Sequence, residues 1–322
     1  MRAISVYDRV DSSLVCFDVH FSRPGSLQYT FLTEFQPAFG HYLTVAQRFL
    51  ADVGRLSNFR GEIVWRIEDD STISDKSLSS LHKRGVVIFG HAVLRTSSGL
   101  DMYYLVPDFH FLDSAGFSSI LRGIQTRNLP FQQRKSQIFW AGSTTGLPCG
   151  GDAICAGECK DVQRIRFVEE AAGIAWLNCS LTRANQWCAG VEEDLRARGL
   201  MSVHVPEVTW TDYRGVFDID GNVHAWGARW RYALGNVVFK VQSKYVSHYT
   251  SALIDGVHFI SIAANFSDLY DKTSIILDDS VVTVDMLRRM SERASRIIST
   301  FTYEAALKNV RNRLDLRSFK IT

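Results

Sequence analysis

Tyr213-Arg-Gly-Val-Phe-Asp218-Ile-Asp-Gly-Asn222-Val-His-Ala-Trp226-Gly-Ala-Arg229-Trp-Arg231-Tyr-Ala-Leu234-Gly-Asn-Val-Val-Phe-Lys240-Val241 decides how this chain is read. Two short runs rich in valine and phenylalanine, at 216–219 and 237–241, have the composition of buried strands. The stretch between them, 226–234, carries a helical pattern. A strand, a helix and a second strand at this spacing make an α/β unit with parallel strands. The same alternation recurs outward in both directions. Strands are predicted at 13–17, 63–67, 86–89, 138–140 and 258–262. Helices are predicted at 42–53, 114–122, 165–175, 192–198 and 284–314, the last as one or two amphipathic helices. Within it Leu287, Met290, Ala294, Ile297, Ile298 and Phe301 form one apolar stripe.

Composition sets the outer limits. The chain has 322 residues, 46% of them hydrophobic, 12% aromatic and 22% charged. That is enough for two domains with a sizeable core, and it excludes disorder, collagen and a disulfide-stapled miniature. Lys and Arg number 36 against 34 Asp and Glu, so the net charge is +2. An obligate nucleic-acid binder carries a larger basic excess, and no nucleic-acid partner is expected. No signal-peptide core and no run of the length a spanning helix needs is visible, so a cytoplasmic protein is expected. From Arg288 onward nine basic residues face three acids. Such a segment suits peripheral contact with an anionic membrane, or simply a solvated face. Among the six cysteines, Cys149, Cys155 and Cys159 cluster, with Cys179 and Cys188 beyond. Their spacing is not that of a paired zinc knuckle, so free thiols or local disulfides are expected ahead of metal binding.

Four constellations could carry chemistry. Glu68-Asp69-Asp70 follows a predicted strand, where a carboxylate can act as general base or merely cap a turn. Gly142-Ser143-Thr144-Thr145 leaves the strand at 138–140. Glycine allows a phosphate close to the backbone there, and N–H and hydroxyl groups can hold its oxygens. Asp218 and Asp220 end the strand at 216–219. They could hold a divalent cation bridging a diphosphate, or order a loop while the next helix and its arginines receive the phosphates, or form a capped turn. Lys244, Tyr245, His248, Tyr249 and His258 could line a sugar or base pocket, or belong to the core.

In their order these segments resemble glycosyltransferase family 90, the capsule-associated and lipopolysaccharide-modifying transferases and their protein O-glucosyltransferase relatives. The resemblance is carried by Pro107-Asp-Phe-His-Phe111 and by Phe139-Trp-Ala-Gly-Ser-Thr-Thr-Gly146. It continues in the block from Tyr213 to Lys240, in His258-Phe-Ile-Ser-Ile262 and in Phe266-Ser-Asp-Leu269. It implies a GT-B-like α/β fold, two facing Rossmann-like domains with the active site in the cleft between them. The domains would be 1–130 on the acceptor side and 131–285 for the donor, with 286–322 packing back on the first. It implies a UDP-sugar donor, glucose or xylose, inversion of configuration, and no obligatory cofactor or metal. The acceptor would be a hydroxyl of a glycan, a lipid-linked glycan such as lipopolysaccharide or capsule, or a protein. Laid on the family pattern, Asp69 takes the place of the base, with Asp70 one residue away. Gly142, Ser143, Thr144, Thr145, Asp220, Gly221, Asn222 and Trp226 would surround the donor. The family's usual Ser-x-Arg is replaced here by Ala225-Trp-Gly227, so Arg229 or Arg231 would meet the diphosphate. Two other readings remain open: a metal-dependent GT-A-type transferase using Asp218 and Asp220, and a nucleotide-sugar or glycan-binding protein without catalysis.

Overall fold

The computed structural model describes residues 14–20, 27–31, 40–57, 59–66, 75–97, 99–127, 129–146, 148 and 158–318. The chain forms two compact units. The first is assembled from residues 1–116, 244–250 and 301–322, the second from 117–243 and 251–300. The first division thus falls at Gly116, ahead of the boundary anticipated near Pro130.

The first unit holds β1 (Leu14–His20), β2 (Leu27–Phe31), α1 (Gly40–Gly54), β3 (Arg60–Arg66), α2 (Asp75–Lys83), β4 (Val87–Gly90), β5 (Ala92–Leu94), β6 (Tyr103–Leu105) and α3 (Phe109–Asp113). Its main sheet runs β2-β1-β3-β4-β6. β3, β4 and β6 are parallel, whereas β1 is antiparallel to β2 and to β3. Parallel strands were expected throughout, and this half-sheet departs from that. Trp65 anchors the core, stacked on Phe109 at 5.3 Å and edge-on to Phe89 at 5.4 Å. The continuous helix expected at 114–122 is broken. Ala115, Gly116 and Phe117 take φ values of 47°, 75° and 60°. Three successive left-handed residues cannot sit inside a right-handed helix. Hence α3, capped by the Asp108 carboxylate accepting from Phe111 N–H at 2.9 Å, ends at Asp113.

The second unit contains α4 (Ser118–Arg127), β7 (Lys135–Ser143), α5 (Gln163–Ala171), β8 (Leu177–Arg183), α6 (Glu192–Ala197), β9 (Tyr213–Asp218), α7 (Ala228–Ala233) and β10 (Val237–Val241). After an excursion into the first unit, it continues with β12 (Ile260–Ile262), α8 (Leu269–Thr273) and α9 (Val281–Ser299). The excursion is β11 (Tyr245–Ser247), which pairs antiparallel with β5. α10 (Tyr303–Ser318) returns to the first unit. The sheet of the second unit runs β12-β10-β9-β7-β8, and every pair in it is parallel. This is the α/β, Rossmann-like character that the strand–helix–strand reading predicts. An aromatic chain fills its core: Phe167 lies edge-on to Trp140 at 5.6 Å and to Phe217 at 4.7 Å. No helix among the described residues is long and apolar enough to cross a membrane.

Cys159 and Cys188 form a disulfide across a separation of 29 residues, while Cys179 is a free thiol. The local-disulfide and free-thiol readings thus each find an example, and Cys149 and Cys155 lie outside the described residues. Closing a loop of this length restricts the unfolded chain and is worth about 3.5 kcal/mol. Cys188→Ser, or a reductant, is therefore expected to lower the melting temperature of the second unit. An unchanged melting curve would mean that the bridge adds nothing.

Candidate functional site

The strand order of the second unit points to its own ligand site. Counted along the chain, the order β8-β7-β9-β10-β12 places the second strand beside the first, and the third, fourth and fifth on the first strand's other side. The chain reverses direction across the sheet between β7 and β9. In open parallel sheets ligands bind beyond the carboxyl ends of the strands at that reversal. The segments leaving β7 and β9 there are residues 143–146 and 219–222.

These two loops touch. A Cβ on Gly221 would lie 3.2 Å from Thr145 Oγ1, and one on Gly146 3.6 Å from Gly221 O. Gly146 has φ +147°, which a side chain would strain. What ties the loops is Arg164, on the first turn of α5. Its Nε donates to Asp220 O at 2.8 Å and its Nη2 to Ile219 O at 3.0 Å. Its Nη1 donates to Ser143 O at 3.2 Å and to Thr145 Oγ1 at 2.5 Å. The guanidinium also lies over the Trp140 ring at 5.6 Å. Gly142 is needed for that ring: a Cβ would come within 2.7 Å of Trp140 Cζ2.

Individual side chains divide into those that face the loops' open side and those committed elsewhere. Thr144 is fully buried, and its hydroxyl donates to Asn185 O at 3.0 Å and accepts from Asn185 N at 2.9 Å. It anchors the loop and is not left to hold a ligand, contrary to the expectation. Ser143 Oγ and Thr145 Oγ1 lie 3.3 Å apart. Among the described residues the backbone N–H groups of Thr145 and Gly221 make no hydrogen bond. Asn222, Trp226 and the buried Arg229 follow along the loop and into α7.

Behind the loops sits a buried charge cluster. Asp218 accepts from Arg231 Nη1 at 3.0 Å and from Lys240 Nζ at 2.8 Å. The side chains are 1%, 10% and 9% exposed for Asp218, Arg231 and Lys240, so water compensates none of them. Burial would raise the Asp218 carboxyl, but the charges and hydrogen bonds of Lys240 and Arg231 outweigh it and hold the group below the usual carboxylate range. Lys240 Nζ also stands 3.9 Å from Asp220 Oδ1. Burial raises the Asp220 carboxyl, and the opposing Lys240 charge and Ser243 hydrogen bond do not fully offset it. Two expectations bear on this cluster. Arg231 pairs with Asp218 through Nη1 and lies over the Trp210 and Trp230 rings, at 5.7 and 5.0 Å. The Asp218–Asp220 pair is bridged by an ammonium group, which already supplies the countercharge that a divalent cation would bring.

Glu68, Asp69 and Asp70 lie outside the described residues. The Lys244–His258 constellation is divided between the two units. Tyr245 and Tyr249 are buried in the first unit, where His248 Nδ1 lies 3.0 Å from Leu105 O. His258 belongs to the second unit, where its Nδ1 accepts from Ile254 N at 2.9 Å. Arg164 and Lys240 were not among the predicted site residues. The one signal for Lys240 was a cation on an otherwise apolar strand; Arg164 had none.

No protein-family model matches the chain, and no curated protein matches its sequence. Among solved structures the chain is similar to a glycosyltransferase from Rickettsia africae, at 8% identity and TM-score 0.47 over 88% of this chain and 83% of that one. It is similar to Anabaena HepE, solved with UDP-glucose, at 10% identity and TM-score 0.43 over 84% and 81%. It is also similar to sucrose-phosphate synthase of Thermosynechococcus elongatus, at 12% identity and TM-score 0.41 over 86% and 63%. Likeness at this distance says nothing of chemistry, and the fold stands on the strand order described above.

Proposed function

We propose that the chain is an inverting glycosyltransferase of the family 90 kind, moving glucose or xylose from a UDP-sugar to a hydroxyl of a glycan, lipid-linked glycan or protein. The observation that carries this reading is the convergence of loops 143–146 and 219–222 at the reversal point of a parallel sheet. Sugar transfer develops negative charge on the departing diphosphate, and fixed N–H dipoles and cations stabilise it without reorganising. The N–H groups of Thr145 and Gly221, the Ser143 hydroxyl and Arg229 are the groups assigned to that task. Asp220, Gly221 and Asn222 shape the loop, and Trp226 offers a ring face to the donor. Inversion also needs a base on the side of the sugar opposite the leaving group. That part falls to Asp69, on the family resemblance.

Calorimetric titration with UDP, UDP-glucose, UDP-xylose and GDP tests the donor site, and its stability counterpart is about 2.7 kcal/mol at 100 times the dissociation constant. UDP-selective binding that survives EDTA is expected, because the Lys240 ammonium beside Asp218 and Asp220 already supplies countercharge to that pair. Absence of any uridine nucleotide binding overturns the donor site. Asp69→Asn should keep UDP affinity while sugar transfer, or UDP release from the donor, falls by roughly 100- to 10,000-fold, the usual worth of a general base. Retained turnover would remove Asp69 from that role.

A further inference from the structure

At the other end of the same sheet the second unit has a cleft of about 590 Å³. Its walls are the segment 129–134 that leads into β7, Gly235 just before β10, and one face of α9. β7 spans nine residues. At about 3.3 Å per residue, this cleft and the loop at 143–146 are some 27 Å apart along the strand.

The α9 face explains the open space. Ser291, Ser295 and Ser299 recur at intervals of four and so stand in line on the helix. Three small side chains leave unfilled the volume that longer ones would occupy. Ser291 and Ser299 turn their hydroxyls back to Arg288 O and Arg296 O, each at 2.7 Å. The Ser295 hydroxyl makes no hydrogen bond among the described residues.

The cations of the cleft are unequally matched. Arg288 is held by Asp285 and Glu292. Among the described residues the hydrogen-bond partners of Arg134 are all carbonyls: Nε donates to Leu129 O at 3.1 Å, and Nη1 to Leu234 O at 3.2 Å and Gly235 O at 2.8 Å. Carbonyls fix its plane without neutralising it, and among the described residues Nη2 makes no hydrogen bond. Asp212, whose field reaches Arg134, is itself gripped by Arg127 at 2.8 Å. Burial accordingly holds the Arg134 guanidinium below its usual pKa, though it stays protonated at neutral pH. Gly235, with φ +72°, keeps the approach clear; a Cβ there would meet Arg134 Nη2 at 3.3 Å. Arg296 is exposed, and its side chain has no ion pair or hydrogen bond among the described residues.

We infer that this cleft is a second ligand site, in which Arg134, Arg296 and the Ser295 hydroxyl receive the phosphate of a phosphorylated sugar. Two guanidiniums short of countercharge match a dianionic phosphate monoester, which Arg binds through its planar fork. A bare phosphate would fill a small part of the space. The cleft falls in the size range of small-molecule sites, roughly 300–1,000 Å³. Pro130 and Phe131, whose ring lies under Arg134 at 5.9 Å, add apolar lining to the cleft. The same chemistry could arrive as a free sugar phosphate or as a phosphate carried on a glycan chain. The site is independent of the donor loops.

Titration calorimetry with glucose 6-phosphate at low ionic strength, in saturating UDP, tests it. Glucose and inorganic phosphate serve as comparison ligands. The wild type should bind glucose 6-phosphate at least tenfold more tightly than either. Arg296→Glu and Ser295→Asp should each weaken that binding at least tenfold, while UDP affinity stays unchanged. Arg296 is exposed and Ser295 half-buried on α9, and thermal melting of each variant, expected to match the wild type, checks that folding is preserved. Arg134 is left intact because it holds three carbonyls. A 6-phosphorylated oligosaccharide that competes identifies a glycan-borne source, and one that is excluded identifies the free sugar phosphate. Probe binding that is unchanged in both variants, or inorganic phosphate binding as tightly as the sugar phosphate, overturns the proposal. A wild type that binds the probe and not UDP would leave this site standing and remove the donor reading alone.

Discussion

Asp218→Asn lowers the stability of the second unit by about 3–5 kcal/mol, the usual cost of removing one member of a buried ion cluster. The substitution keeps the shape of the side chain, removes its charge and replaces one of its two accepting oxygens with an NH2 donor. Lys240 is then left with Asp220 at 3.9 Å, and Arg231 with two indole faces and no carboxylate. Neither cation is exposed enough for water to replace the lost partner. The cluster also sets a pH dependence with a definite sign. The folded-state pKa of Asp218 is depressed, so its contribution is present above the unfolded value of about 3.9 and is lost as pH falls through the folded one. Lys240 is raised, because Asp218 and Asp220 outweigh the effect of burial. Its contribution is whole below about pH 10.4 and is lost as pH rises through the folded value. Urea unfolding of Asp218→Asn, Lys240→Met and the double variant measures the coupling. The double variant should be less destabilised than the sum of the singles. A single-variant loss below about 1 kcal/mol would show that the cluster is solvated after all.

Arg164→Lys should abolish tight UDP binding, reducing affinity at least tenfold, with a stability loss of about 3 kcal/mol. The guanidinium serves four acceptors on two loops that are far apart in sequence: Ser143 O, Thr145 Oγ1, Ile219 O and Asp220 O. A lysine ammonium is a single point with three donors and cannot reproduce a planar fork. Carbonyls then lose their partners, and the N–H groups of Thr145 and Gly221 lose their common alignment. Calorimetry with UDP, alongside thermal melting, separates the two effects. A variant that melts early yet binds UDP as the wild type does would show that the two loops do not form the donor site.

What could be read in the sequence was whatever depends on local pattern. The strands at 237–241 and near 138–140 and 216–219 were visible because buried parallel strands are runs of apolar residues with nothing else to confuse them. β8 was invisible for the opposite reason. Leu177-Asn-Cys-Ser-Leu-Thr-Arg183 lies at the edge of its sheet, where one flank is free of neighbours and polar residues are tolerated. β5 and β11 are three residues each, too short for a period to show. In the site, the two loops were legible from their glycines and hydroxyls. Arg164 was not, since on a helical pattern one arginine reads like any other until the fold brings four acceptors to it. Asp218 and Asp220 were legible as acids, but their partner Lys240 lies on the neighbouring strand, a pairing that only the sheet reveals.

The first unit is built from three separate pieces of chain, and this has a consequence for how the protein comes off the ribosome. Its sheet strand β5 waits for β11, and α1 waits for α10. Tyr303 Oη donates to Asp52 at 2.8 Å, Ser57 Oγ to Asp315 at 2.6 Å, and Phe49 lies edge-on to Tyr303 at 5.9 Å. The contacts of α1 with α10 form only once residues some 251 to 258 positions further along the chain have been translated. The second unit is assembled from residues that end at 300. Synthesis runs from the amino terminus, yet the unit whose sequence begins first is the one that closes last. The first unit therefore remains open to chaperones and to stray association until α10 emerges, and a stop codon just past α9 would strand it.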